Sequence, residues 1–279
     1  MAILFEKNFE DGNLEGWRIN GLTPTVTSEI LARVGTKCMK SHLLAGETRS
    51  EVRMPGLLNA VGNEYWYGFS VYLPEPFETN SAWEHVANWH GYPDFGIGEG
   101  YFGQGAPLQI STAHPQTAPG WSVRVRWDSK PNSTPGGVPD IEGQAFYEFG
   151  TYETDVWTDW VFHIKWEYDE TGLLVIWKNG DKVLTRNGPN CYNDEFGPYF
   201  KMGIYRAGRS AGAARTIYHD EFKMADADSI YEDVAPGGKP PEPEPKPPVS
   251  RTANIIINIP ATQILATIDW TAPAKEDEK

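Results

Sequence analysis

Trp121-Ser122-Val123-Arg124-Val125-Arg126-Trp127 is the stretch that decides the fold class. Tryptophan and valine alternate with serine and arginine, a period of two that suits a half-buried strand and no helix. Val161-Phe162-His163-Ile164-Lys165-Trp166 repeats the pattern. The apolar run Leu173–Trp177 leads into Lys178-Asn179-Gly180-Asp181, and Asn-Gly between two such runs predicts a type I′ hairpin turn. Short β-rich runs separated by Gly and Pro continue through residues 1–235, and no long stretch holds a 3.6-residue period. The expected class is all-β, and this length suits a sandwich of two antiparallel sheets or a jelly roll better than a small barrel.

Composition narrows the function. Apolar residues make up 40% of 279, enough for a core, and no run reaches the ~18 apolar residues of a membrane helix. Lys and Arg number 24 against 38 Asp and Glu, and the net charge of −14 argues against a nucleic-acid binder while leaving room for a local basic groove. Two cysteines, Cys38 and Cys191, exclude a disulfide scaffold, and buried free thiols are the default reading. Residues 236–248 read PGGKPPEPEPKPP, seven prolines in thirteen, an extended linker taken as 236–249. The tail 250–279, with Ile255-Ile256-Ile257 and a charged end, is too short for a core of its own. It is expected to be a docking strand or a fragment of a further module, and everything from Pro236 onward is expected to be dispensable for catalysis, so that a chain ending at Ala235 keeps fold and activity. Met1–Lys7 has no basic start, apolar run or small-residue cleavage site, so no secretory signal is expected here.

Three segments carry candidate chemistry. On a strand, Arg49, Glu51 and Arg53 share one face, a cationic ladder suited to carboxylates or sulfates, or simply to a solvated salt bridge. In Glu84–Gly91, Asn88 and His90 share a face opposite Ala87 and Trp89, pairing an amide that can neutralise a carboxylate with an imidazole that can move a proton. His85 and His163 are read as structural. In Tyr199–Arg206, Phe200, Met202 and Ile204 form a core stripe, which turns Tyr199, Lys201, Gly203 and Tyr205 outward together. Gly203 could mark the close approach of a ligand, and cations beside Tyr205 would favour its phenolate.

Arg-Ser-Glu-Val-Arg, then Asn-Trp-His, then Tyr-Phe-Lys-Met-Gly-Ile-Tyr resembles, in order, the motif set of jelly-roll polysaccharide lyases such as alginate lyases. Glu64–Ser70, Trp89–Gly91, Trp157–Trp166, Gly188–Asp194 and Tyr218–Glu221 bring the wording closer to the heparin lyase I-like family that includes glucuronan lyases. The resemblance spans about Phe5 to Met224. One departure is Asn88, where the family usually has Gln.

The resemblance implies a jelly roll with a concave groove and endolytic β-elimination at a 1,4-linked uronic acid, glucuronan-like before heparin-like or alginate. It assigns Arg49 and Asn88 to neutralising the carboxylate, His90 to assisting or acting as base, and Tyr205 to proton donation or to both transfers. Arg53, Lys201, Tyr199, Arg124 and Arg126 would line the groove. It also implies a structural Ca²⁺ at Glu10 and Asp220, apart from the chemistry, and no organic cofactor. The expected partner is an anionic polysaccharide, with no nucleic acid and no membrane, bound by a monomer working outside the cell, phage-borne release being one route. A non-catalytic carbohydrate-binding module or adhesin is the alternative, favoured by eleven Trp and thirteen Tyr but needing no convergent His and Tyr. A glycoside hydrolase ranks last, for want of a paired-carboxylate strand motif.

Overall fold

The computed structural model describes residues 1–55, 60–77, 83–100, 105–134, 139–206 and 212–238, and the backbone of 251–259 and 262–270. Strands dominate, as the period-two stretches require. One sheet runs β13 (Asp181–Asn187), β12 (Leu173–Lys178), β11 (Trp157–Lys165), β6 (Glu64–Tyr72), β15 (Arg215–Ala225), β4 (Cys38–Leu43), β3 (Thr25–Thr27), with β1 (Ile3–Lys7) also on β15. The other runs β10 (Gly143–Glu148), β9 (Ser122–Trp127), β8 (Leu108–Ala113), β7 (Glu84–Tyr92), β14 (Phe196–Arg206), β5 (Arg49–Arg53), β2 (Arg18–Gly21).

All these pairings are antiparallel. Successive strands β4 to β7 alternate between the sheets, and the late strands β14 and β15 insert into the middle of each. The fold is a β-jelly roll. The predicted hairpin joins β12 to β13, with Asn179 at φ 51° and Gly180 at φ 84°, the two positive values that a type I′ turn needs.

The core lies between the sheets and is aromatic. Trp89 packs on Phe162 with centroids 4.8 Å apart, Phe200 on Phe222 at 4.6 Å, and Trp121 edge-on to Trp160 at 5.3 Å. Phe200, Met202 and Ile204 are fully buried, as their alternation predicts. Each such side chain contributes about 1.5–3 kcal/mol through burial, so the core face of β14 is held firmly and its other face is presented with a fixed register. Cys38 and Cys191 are buried and unpaired.

After β15 a single helical turn, α1 (Tyr231–Val234), packs Val234 over Gly68 so closely that a Cβ there would lie 1.8 Å from the Val234 carbonyl oxygen. From residue 239 to 250 the expected linker lies outside the described residues. In the tail, β16 (Arg251–Ile259) and β17 (Thr262–Trp270) form an antiparallel hairpin. Among the described residues, no helix is long and apolar enough to cross a membrane.

Candidate active site

The outward face of the seven-stranded sheet forms a groove of about 730 Å³. Because even-numbered Phe200, Met202 and Ile204 take the core, β14 turns Tyr199, Lys201 and Tyr205 into this groove. Strand β7 adds His85, Asn88 and His90; β5 adds Arg49 and Arg53; β9 adds Arg124 and Arg126. Arg49, Arg53, Asn88, His90, Arg124, Arg126, Tyr199, Lys201 and Tyr205, four segments far apart in sequence, thus line one cavity.

Glu51 is the anionic hub beneath it. Its side chain is 1% exposed and takes the Lys201 ammonium at 2.6 Å, the Asn88 Nδ2–H at 3.0 Å and the Arg49 Nε at 3.4 Å. Lys201 thus lines the groove as expected in position, with its ammonium already ion-paired to Glu51. Burial pulls the Lys201 ammonium below its ordinary pKa, and Glu51 opposes that shift. Since a carboxylate only accepts, the Asn88 amide is oriented with nitrogen toward Glu51, leaving Oδ1 buried without a hydrogen-bond partner. One of the two N–H donors expected to meet substrate is therefore spent on Glu51.

Tyr205 stands above this hub. The Arg49 guanidinium lies 3.9 Å from its ring centroid, the Lys201 ammonium 5.8 Å, and Trp83 meets it edge-on at 4.9 Å. Arg49 also donates to Asn20 Oδ1 at 2.7 Å, which fixes the guanidinium. His90 donates from Nδ1 to the Gly91 carbonyl at 2.8 Å, so the neutral ring carries its acceptor on Nε2, and it stacks on Tyr199 at 5.5 Å. Burial, with the Lys201 and Arg49 cations adding to it, lowers His90 to about 4. At neutral pH the ring is uncharged, the state a proton acceptor needs.

His85 was read as structural, yet it lines the groove, pairs with Tyr205 in register and lies 6.1 Å from its ring. Its Nδ1 is 2.8 Å from Ser111 Oγ, Trp83 stacks on it at 4.7 Å, and burial, aided by Arg124, pulls its pKa well down. The signal for it was a register between β7 and β14 that periodicity cannot supply. His163 does behave structurally, stacked on Trp66 at 4.0 Å in the other sheet.

Gly203 is also corrected. It sits at φ +131°, and a Cβ would lie 2.2 Å from the Ser50 carbonyl oxygen. The close approach that demands glycine is to the β5 backbone and not to a ligand. The β14–β7 register shifts by one between Met202 and Tyr205, so a bulge re-aims Tyr205 here.

The residues expected to hold calcium grip one loop from two sides. Glu10 accepts from the backbone N–H of Thr36 and Lys37, and Asp220 from those of Arg33 and Val34. The Lys37 ammonium also donates to the Glu10 carbonyl oxygen at 2.9 Å. Asp220 is on β15, in the sheet without the groove. A different acidic set, Asp94, Glu99 and Asp194, converges within 4.8 Å, and backbone N–H groups of Asp94 and Ser133 donate into Glu99.

The polysaccharide lyase family model matches residues 9–223. No curated protein matches the chain. Among solved structures, endo-beta-1,4-glucuronan lyase from the fungus Trichoderma reesei aligns with a TM-score of 0.67 at 22% identity, over 85% of this chain and 100% of that one. Alginate lyase vAL-1 from Chlorella virus aligns with a TM-score of 0.52 at 14% identity, over 81% of this chain and 100% of that one. At these identities the likeness is one of fold.

Proposed function

The chain belongs to the polysaccharide lyase family, and on that premise we propose that it cleaves a 1,4-linked polyuronate, glucuronan-like in preference to alginate or a heparin-like chain, by endolytic β-elimination. The observation that supports this reading is Tyr205, seated between Arg49, Lys201 and His85 on the groove floor.

Elimination needs the uronate carboxylate neutralised so that the C5 proton becomes acidic, a base to take that proton, and an acid to return one to the departing O4. Arg49, held by Asn20 and Glu51, is the cation for the carboxylate, with the remaining Asn88 N–H beside it. In a β-glucuronate H5 and O4 lie on the same ring face, so a single phenolic oxygen can take the first proton and deliver the second. That oxygen enters as the phenolate, becomes the phenol when it takes H5, and returns to the phenolate when it passes the proton to O4 as the C4–O4 bond breaks, with the Arg49 guanidinium 3.9 Å from its ring. Neutral His90 is the base for a substrate with H5 on the opposite face. Such a polymer is met outside the cell, and that is where this reading places the enzyme.

The test is a panel of uronate polysaccharides followed by ultraviolet absorbance of the unsaturated product. Tyr205→Phe should keep the fold, because only the phenolic oxygen is removed, while turnover falls by about 10²–10⁴-fold, the usual worth of a general acid–base group. Near-parental release of unsaturated oligosaccharide by the variant would remove Tyr205 from the mechanism and bring His90 forward.

A further inference from the structure

Residues in register form rows across the seven-stranded sheet, perpendicular to the strands. In one row Arg53 faces Lys201, Lys201 faces Asn88, Asn88 faces Gln109 and Gln109 faces Arg124. The row spans β5, β14, β7, β8 and β9, so its ends are four inter-strand steps apart, roughly 19 Å along the sheet. Its middle is electrically quiet, since Lys201 is paired with Glu51 and two neutral amides follow. Charge is concentrated at the two ends.

At the β9 end, Arg124 and Arg126 share one strand face. Arg124 is half-buried, and its Nη2 donates to Gln109 Oε1 at 2.7 Å. Its Nε is sealed from solvent with no hydrogen-bond partner, and among the described residues no carboxylate pairs with it. Burial, with the Arg126 guanidinium beside it, lowers Arg124 to about 9. Arginine at a sheet surface ordinarily finds an acid; here a neutral amide takes that place and a donor is left over. Gln109 Nε2 and Asn88 Oδ1, both buried and unpartnered, add a donor and an acceptor on the neighbouring strands. Orphaned donors on a cationic wall, beside amides that can meet hydroxyl groups, match an acidic sugar.

We propose that Arg124 and Arg126 form a second carboxylate-binding station, separate from Arg49 and Arg53, so that the groove grips an acidic polysaccharide at two sugars several residues apart. This rests on the polyuronate reading and specifies it: the substrate is a chain long enough to reach from β5 to β9 with an acidic group at each end of that run. Short uronate oligosaccharides fill one station only and bind weakly.

Calorimetric titration of polyglucuronate into the Tyr205→Phe protein tests this without cleavage. Adding Arg124→Gln should weaken affinity about 10- to 100-fold, the worth of lost charge-assisted hydrogen bonds, and should reduce its salt dependence. The same change should leave the affinity for a diuronate unaltered. Arg126→Gln carries the same expectation if the Arg124 variant fails to fold. Unchanged affinity for the polymer in both variants, or equal losses for polymer and diuronate, would overturn the second station. If the parent cleaves no uronate polymer yet Arg124→Gln still weakens polymer binding, the station stands and the lyase chemistry falls.

Discussion

Glu51 does no chemistry in this scheme, yet it organises the groove floor. Burying its carboxylate costs several kcal/mol, and the attraction of a buried ammonium at 2.6 Å offsets that only because Asn88 and Arg49 also engage its oxygens. Histidine burial has a measurable consequence of its own. His219 is fully buried with Nε2–H donated to the Val86 carbonyl, and burial lowers it to about 4. The unfolded chain binds that proton near pH 6.5, so His219 contributes stability that is complete above about pH 6.5 and is lost as pH falls toward about 4. Asp128 and Asp220, raised by burial to about 6 and about 7, titrate through the same window with the opposite sign. A difference measurement is therefore the clean one. Thermal melts of His219→Gln between pH 7 and 4 should show a shallower loss of Tm on acidification than the parent, and parallel curves would reject this linkage.

At the scale of the element, β14 serves two masters. Its apolar face needs unbroken packing, and its polar face needs Tyr205 brought opposite His85 of β7 while it stays opposite Arg49 of β5. The bulge at Gly203 satisfies both, because only glycine tolerates φ +131° with the Ser50 carbonyl 2.2 Å from the missing Cβ. Gly203→Ala should cost at least the ~1–3 kcal/mol of a strained backbone, seen as a lower Tm. It should also displace β5, so activity should fall while the Tyr205 side chain is intact. A variant with parental Tm would show that the β5 backbone yields.

For the whole molecule, the lyase fold should be complete once Val234 is seated on Gly68. Pro236 still touches it, since the Arg33 guanidinium, bound to Asp159, reaches the Pro236 carbonyl at 3.5 Å. A chain ending at Gly238 should therefore keep the parental Tm and the parental rate of unsaturated product release. Insoluble protein from that truncation would mean that the hairpin of β16 and β17 completes the jelly roll.

Periodicity was sufficient for the class of fold and for which side chains of a strand face together. Trp121–Trp127, Tyr199–Arg206 and Asn179-Gly180 each encode their geometry within a few residues, because strand alternation and turn conformation are local. The order of Arg49–Arg53, Asn88–His90 and Tyr199–Tyr205 likewise carried a family resemblance. Partner choice is not local. That Lys201 spends its charge on Glu51, that His85 stands beside Tyr205, and that Gly203 yields to the β5 backbone all depend on register between strands over 100 residues apart in sequence. The orphaned donor of Arg124 depends on there being no acceptor within reach of its Nε among the described residues. Burial then sets the electrostatics, since a charge's neighbours and its access to water exist only once the two sheets have closed.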